Sequence, residues 1–446
     1  MKIFIRTFGC TLNQSDSELM AGLLAKAGYE LVNDLRKAEL VLFNSCTVKD
    51  KAEKRFFSEI KEAIALGKKV VAAGCVPQAD PYNQFFKKVS VLGVRNLNRI
   101  AEVVEEAAKG SIVRMLGFNN TSNNHRLNLP KVRKNPTVEI IPIAAGCIGE
   151  CSYCKTRLAR GKLMSYNIKA IKQQFEAALL DGVKEIWLTS QDCGAYGKDV
   201  GSSLIELMDE LLSVKMNDDT KMSDDIRIRL GMLNPNHALE FLDDYVRILK
   251  HPNMFKFAHL PVQSGSNNML KLMNRKYTAE DFVKIVKKLR KEIPMITIAT
   301  DIISGFPTEA DEDFEKTCSL LQELRIPVVN ITKYSTRPGT PAAKMKKIST
   351  KVVKKRTKRL AEIQAMIIDN KEWLGWEGNI IIDEIGKKIG KESSFVGRND
   401  YYKPVVVRQE CKENGKSKVK IGALMPVKVC DAHQNYLIAK RSVRSI

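Results

Sequence analysis

The sequence predicts an α/β protein that ends in a small all-β module, and three patterns carry that expectation. Short apolar strands alternate with amphipathic helices from residue 1 to about 110, which indicates a parallel, Rossmann-like α/β domain. A second alternation begins near 138 and runs through six β/α units, which suits a partial (β/α)6 barrel rather than a full eight-unit one. Beyond about 376 the helical period stops, and short strands separated by turn residues indicate a small β-barrel. At 446 residues the chain exceeds one ordinary domain. These patterns divide it into 1–115, a linker at 116–137, 138–345, a basic helix at 346–375, and 376–446.

In the first unit "KIFIRTFG" (2–9) reads as a strand, and 15–27 as a helix capped by Ser15 or Asp16. "ELVLFNSC" (39–46) and "KKVVAAGC" (68–75) are further strands, with a helix at 50–66 between them. Each strand ends at a cysteine: Cys10, Cys46 and Cys75. The carboxyl ends of parallel strands share one edge, where ligands bind in open α/β folds, so these three are expected to meet around a shared metal. Three merely structural cysteines would be scattered along the strands.

The stretch "LGFNNTSNNHRLNLPKVRKNPT" (116–137) is Asn-rich and polar, carries Pro130 and Pro136, and reads as the linker. Barrel strands are expected at 138–145, 185–192, 227–233, 255–263, 296–304 and 327–335, with helices in the gaps. "KMKKISTKVVKKRTKRL" (344–360) holds nine basic residues and no acid, and its helix continues toward Trp373. The terminal strands are "NIIIDEIG", "SFVGRND", "YYKPVVVR", "ALMPVKVC" and "YLIAKRS". A small barrel on a basic helix suits holding RNA; a dimerisation or purely structural module is the alternative.

The formal charge, 73 − 51 = +22, predicts a polyanionic partner, nucleic acid first, with salt-dependent binding. A solubility surface is the competing explanation. No run of about 18 uncharged apolar residues exists, so no membrane span is expected. The N-terminal residues lack a signal-peptide pattern, and a soluble, cytoplasmic protein is expected. Ten cysteines in such a chain favour metal or redox chemistry over a disulfide framework.

The densest motif is "GCIGECSYCKTRLAR" (146–160), with Cys147, Cys151 and Cys154 spaced C-x3-C-x2-C. Structural zinc sites close with four Cys or His ligands. Here no further Cys or His occurs between Cys154 and Cys193, and the nearest upstream is His125. Thiolates also suit a [4Fe–4S] cube, which takes one ligand per iron; three cysteines leave one iron open for a substrate or cofactor.

With the aromatic Tyr153 before its last cysteine, this loop resembles the radical S-adenosylmethionine motif. The resemblance implies that the amine and carboxylate of S-adenosylmethionine take the open iron, with the aromatic near the adenine. The ordered set Cys10, Cys46 and Cys75, then this loop, then a terminal β-barrel resembles the methylthiotransferase family. So do the blocks "GCTLNQSDSE" (9–18), "LTSQDCGAYG" (188–197), "HLPVQSGS" (259–266), "TDIISGFPTE" (300–309) and "KYSTRPGTPA" (333–342). "CSYCKTRLARGKLMSY" (151–166), with Lys155 after the last cysteine and "ARG" beyond it, resembles the archaeal and eukaryotic branch. That branch implies methylthiolation at C2 of N6-threonylcarbamoyladenosine at position 37 of tRNA. Isopentenyladenosine in tRNA or a ribosomal protein are the targets of other branches. A non-catalytic, metal-stabilised RNA-binding protein is the alternative of a different class.

The family resemblance further implies a second [4Fe–4S] cluster on Cys10, Cys46 and Cys75, and a terminal barrel of the TRAM type. The cluster on Cys147, Cys151 and Cys154 would reduce S-adenosylmethionine to give the radical that abstracts the C2 hydrogen. The second would carry sulfur methylated by a second S-adenosylmethionine. Tyr153, Gln191, Gln263, Ser264, Gly305, Pro307 and Arg337 are implied to line the cofactor site, or else to hold strand-end turns. RNA contacts are expected from Lys155, Arg157 and Arg160 beside the loop, and from Lys354, Lys355, Arg356, Lys358 and Arg359 on the basic helix. The partners so implied are a tRNA anticodon loop, S-adenosylmethionine and an external one-electron reductant. Cys193 stands where the family pattern leads one to expect a residue such as Thr, and reads as a spectator thiol. Cys318, Cys411 and Cys430 receive no ligand role.

Overall fold

The structure is a computed structural model that describes all residues except 49, 118–125, 217–219, 387–391, 411–418 and 443–446. His125 and Cys411 lie outside the described residues.

The first unit is a parallel six-stranded sheet of order β2-β1-β3-β4-β5-β6. Its strands are β1 (Lys2–Thr7), β2 (Glu30–Leu31), β3 (Leu40–Ser45), β4 (Lys69–Gly74), β5 (Ser90–Gly93) and β6 (Arg114–Met115), and its helices α1 (Thr11–Lys26), α2 (Asp50–Ala65), α3 (Cys75–Ala79) and α4 (Ile100–Ala108). The central strand β3, "LVLFNS", is buried throughout because successive residues serve opposite layers. Leu40 and Leu42 pack with Leu19, Leu24 and Val103 on one face; Val41 and Phe43 pack with Phe56 and Phe86 on the other. Pairing of Thr7 with Asn44 and of Ser45 with Gly74 aligns the carboxyl ends of β1, β3 and β4.

Helix α1 starts at Thr11 with Cys10 in the capping position, four residues before the expected start at 15. Ser15 and Asp16 are therefore not caps. Both are buried inside the helix, Ser15 donating to the Ile140 carbonyl at 3.3 Å and Asp16 pairing with Arg126 and Arg160. Their polarity serves a contact with the second unit.

The expected linker is corrected in the same way. From 126 onward it is docked on α1: Arg126 and Leu127 are buried, and Val132 donates its N–H to the Glu18 carbonyl at 3.0 Å. Lys131 and Arg133 both reach the buried Glu139 at 2.6 Å.

All six barrel strands form where the alternation placed them. They are Val138–Pro142, Glu185–Thr189, Arg227–Leu230, Phe257–His259, Thr297–Ser304 and Val328–Lys333. They make two parallel three-stranded sheets joined by the Ile228–Met254 bridge, an open, partial barrel. The outer faces of these strands and the surrounding helices share the largest apolar cluster of the molecule's described residues.

The basic helix runs Thr350–Ile367, capped by Ser349, and ends well before Trp373. Five strands then close a barrel in the order Glu377–Ile385, Glu392–Arg398, Pro404–Glu410, Leu437–Arg441 and Leu424–Ala432. Tyr402, in the turn between the second and third of these, inserts into the floor of the partial barrel against Phe255 and Phe257, with ring centroids 4.9 and 4.8 Å away. Among the described residues, no helix is long and apolar enough to cross a membrane.

Candidate active site

The sheet brings Cys10, Cys46 and Cys75 to one edge, immediately beyond the aligned ends of β1, β3 and β4. Two glycines allow this approach. Gly9 has φ +108°, and a Cβ there would stand 2.3 Å from Cys46 Cβ and 2.7 Å from its Sγ. Gly74, at φ +95°, leaves room for Asn44 and for the Ser45 backbone. Between the thiols sits Asn13, whose side-chain oxygen accepts from Cys10 Sγ at 3.4 Å and from Cys75 Sγ at 3.9 Å. Its amide is fixed by donation to the Ser45 carbonyl at 2.5 Å. The hydrogen bond from Cys46, followed by the charge of Arg160, lowers the Cys10 thiol to about 6. The same contact pushes Cys46 up, and burial pushes up Cys75.

The second set is local. Gly146, at φ +73°, turns the chain out of the first barrel strand, where any Cβ would lie 1.9 Å from the Lys162 carbonyl oxygen. Ser152 anchors the loop: its N–H donates to the Met273 carbonyl at 3.0 Å and its hydroxyl to that of Leu272 at 2.8 Å. Each sulfur then receives one N–H donor. Gly149 N donates to Cys147 at 3.2 Å, Thr156 N to Cys154 at 3.4 Å, and Arg275 Nη1 to Cys151 at 3.2 Å. Such donors stabilise thiolate ligands and orient them. Taken as a bare thiol, Cys147 is pushed up to about 12 by burial and by the charge of Asp192, and burial also raises Cys154.

Among the described residues, no group of three or more His, Cys, Asp or Glu side chains converges closely enough to hold a single metal ion. A [4Fe–4S] cluster, by contrast, spreads its ligands over a cube with one thiolate per iron, so three thiolates would leave one iron open.

Around the loop, Tyr153 meets Phe306 edge-on at 6.3 Å, and Phe306 meets Tyr334 at 5.5 Å, making an apolar wall. Gln191 carries a buried side-chain oxygen that has no protein hydrogen-bond partner. Gln263 takes φ +67° and bridges to Ile302. Ser264 is engaged with Thr317 at 3.2 Å, and the Gly305 N–H with Glu309 at 3.1 Å. Pro307 is buried beside them. Arg337 reaches across to the first unit, pairing with Glu53 at 2.8 Å and donating to the Val48 carbonyl at 3.1 Å.

Three of the expected RNA contacts are corrected. Lys155 is 4 % exposed, with its ammonium 4.0 Å from Glu53. Arg160 is 1 % exposed and bound to Asp16 and Asn13. Arg356 is 6 % exposed and bound to Glu309 and Asp311. A buried, paired cation cannot meet an external phosphate. Lys354, Lys355 and Lys358 are exposed; Arg157 pairs with Glu150, and the exposed Arg359 with Glu315. Cys193 lies in the barrel's apolar core. Cys318 is buried and Cys430 exposed. Sequence reasoning missed Asn13, which lies inside a quoted block, and Arg275, for which the sequence carries no local signal.

Residues 141–321 match the Radical SAM superfamily, and residues 2–93 match the "Uncharacterized protein family UPF0004". The radical S-adenosylmethionine methyltransferase TsrM from Kitasatospora setae, solved with cobalamin and a [4Fe-4S] cluster, aligns with a TM-score of 0.56 at 14% identity. That match covers 77% of this chain and 73% of that one, and speaks for the fold. The chain thus carries a radical SAM domain, a class that implies S-adenosylmethionine and a [4Fe–4S] cluster.

Curated relatives give the narrower assignment. The threonylcarbamoyladenosine tRNA methylthiotransferases of Xenopus laevis and Homo sapiens are 42% and 43% identical, over 98% and 91% of this chain and 76% and 69% of their own. The probable threonylcarbamoyladenosine tRNA methylthiotransferase of Pyrococcus abyssi is 41% identical over 87% of this chain and 90% of its own. The chain belongs to the threonylcarbamoyladenosine tRNA methylthiotransferase family.

Proposed function

We propose that this protein methylthiolates C2 of N6-threonylcarbamoyladenosine at position 37 of tRNA, with Cys147, Cys151 and Cys154 holding one [4Fe–4S] cluster and Cys10, Cys46 and Cys75 a second. The observation that carries this reading is the shared boundary of the two cysteine sets: Arg160, on the helix that follows Cys154, reaches Asn13 and Asp16 beside Cys10 and Cys75. A cluster held by Cys147, Cys151 and Cys154 would supply the electron for reductive cleavage of S-adenosylmethionine, chemistry that belongs to the cofactor.

The chain's own residues bind, orient and shield. Gly149 N, Thr156 N and Arg275 fix the three sulfurs of the radical loop. The unpaired Gln191 oxygen offers an acceptor to a cofactor N–H or O–H. Tyr153, Phe306 and Tyr334 keep water from the barrel mouth. Exposed Lys354, Lys355 and Lys358 suit phosphates of the anticodon stem and loop, with the terminal barrel, read as TRAM-like, as a further RNA-holding surface. An external one-electron reductant and a cytoplasmic setting complete the reading.

Mass spectrometry of tRNA nucleosides from cells with and without the protein tests it. The 2-methylthio derivative of threonylcarbamoyladenosine should disappear with the gene and return with the wild-type chain. Unchanged nucleosides would overturn the reading in favour of a protein target or a binding module.

A further inference from the structure

Arg160 is short of carboxylate partners. Its Nη2 donates to Asp16 Oδ2 at 2.8 Å and to Asn13 Oδ1 at 3.1 Å. The other carboxylate oxygen of Asp16 is taken by Arg126, itself 8 % exposed. Two buried guanidinium groups therefore share one carboxylate, and the second positive charge is left to the sulfurs beside it. Arg160 also keeps Nη1 buried without any hydrogen-bond partner. A buried cation without a carboxylate of its own and an unused donor are both costly, so such an arrangement implies an anion that completes it. The sulfurs at hand are those of Cys10 and Cys75, which share the Asn13 oxygen with Arg160.

We infer that Arg160 is a positioning residue for the cluster on Cys10, Cys46 and Cys75: it supplies that cluster's counter-charge and an N–H donor, and ties it to the radical loop. This rests on the second-cluster reading above. Hydrogen bonds and nearby charge set the reduction potential of iron–sulfur clusters, and a cation favours the more negative, reduced form. Arg160 thus holds the second cluster at a higher potential than its cysteines alone would. Because the same short helix, Thr156–Arg160, follows Cys154 directly, a shift of the radical loop would be felt at the second cluster.

The test uses the full chain carrying Cys147→Ala, Cys151→Ala and Cys154→Ala, reconstituted anaerobically so that only the second cluster can form. Iron and sulfide are counted, and the potential is read by redox titration followed by electron paramagnetic resonance. Adding Arg160→Gln should move the potential down. Adding Asp16→Asn, which frees the guanidinium from its carboxylate, should move it up, and Arg160→Lys should hold it near the parent value. Opposite shifts support the inference, and the Asp16 and lysine variants keep the test open if Arg160→Gln does not fold. A parent chain that assembles no cluster overturns the second-cluster reading and this inference with it. An assembled cluster whose potential neither substitution moves overturns this inference alone.

Discussion

The two three-cysteine sets gather their thiols by opposite means. Cys147, Cys151 and Cys154 sit on a single loop, and two of their three N–H donors come from that loop's own backbone. Cys10, Cys46 and Cys75 lie far apart in sequence and meet only because β1, β3 and β4 are adjacent and in register. The first set is a local object that the barrel then anchors; the second is a product of topology. A local site depends on backbone conformation, whereas a distributed one depends on close approach between elements. Substitutions should therefore separate the two sets.

The largest effect comes from the ligands. Cys147→Ala, Cys151→Ala or Cys154→Ala should bring 5′-deoxyadenosine formation below detection. Cys10→Ala, Cys46→Ala or Cys75→Ala should leave that formation intact while methylthio product vanishes. Chromatography of both products decides it, and normal product without the N-terminal cysteines would end the claim of a second cluster.

Next in size is the effect of close approach. Gly9→Ala places a methyl on top of Cys46 at a backbone angle unsuited to L-residues. It should halve the iron content of the reconstituted protein, from about eight to about four per chain. Gly149→Ala puts its Cβ 3.3 Å from Cys147 Sγ without a positive φ, and should leave about eight. Equal losses in the two variants would erase the distinction between the sets.

The same distinction governs what the sequence could reveal. The radical loop is legible because its chemistry is contiguous, and the strand-end cysteines because parallel topology turns a repeated position into a shared edge. The six barrel strands and the terminal barrel follow from hydrophobic period. Partnership across the fold left no such trace. Lys155, Arg160 and Arg356 look like phosphate binders in a basic stretch, but each is buried on a carboxylate remote in sequence. Ser15 and Asp16 look like caps for the same reason: a polar residue before an apolar run is locally indistinguishable from one that receives an arginine from another unit. The Asn-rich stretch reads as a linker because its docking on α1 and on the first barrel strand uses backbone and charge.

The boundary between the sets gives a smaller, thermodynamic prediction. Glu53 follows the Cys46 loop and receives Arg337 from the barrel at 2.8 Å, with side-chain exposures of 18% and 8%. Glu53→Gln leaves Arg337 and Lys155 buried beside a neutral group, a change on the order of 3 kcal/mol for a broken buried pair. Calorimetry should show a lower unfolding midpoint. The ratio of methylthio product to 5′-deoxyadenosine should fall, because the radical loop survives while its neighbour loosens. An unchanged midpoint would mean that the two units are held together elsewhere.

The smallest effect concerns the bare thiols. Cys10 is exposed, and its thiol is lowered to about 6 by the Cys46 hydrogen bond and by Arg160, whereas Cys147 is pushed up to about 12 by burial and Asp192. Only the thiolate is alkylated, so in metal-free protein the rate at Cys10 should climb as pH rises through about 6 and then level off. At Cys147 the thiolate stays scarce until pH approaches about 12. A lower-pKa thiolate is also the weaker nucleophile, which cuts the contrast at neutral pH to about 100-fold. Peptide mapping after brief iodoacetamide treatment across pH 5 to 9 measures it. Cys46→Ala removes the largest cause of the lowering and should move the Cys10 profile to higher pH; Arg160→Gln should move it less, in the same direction. Parallel profiles for Cys10 and Cys147 would show that the distributed set does not favour a thiolate over the local one.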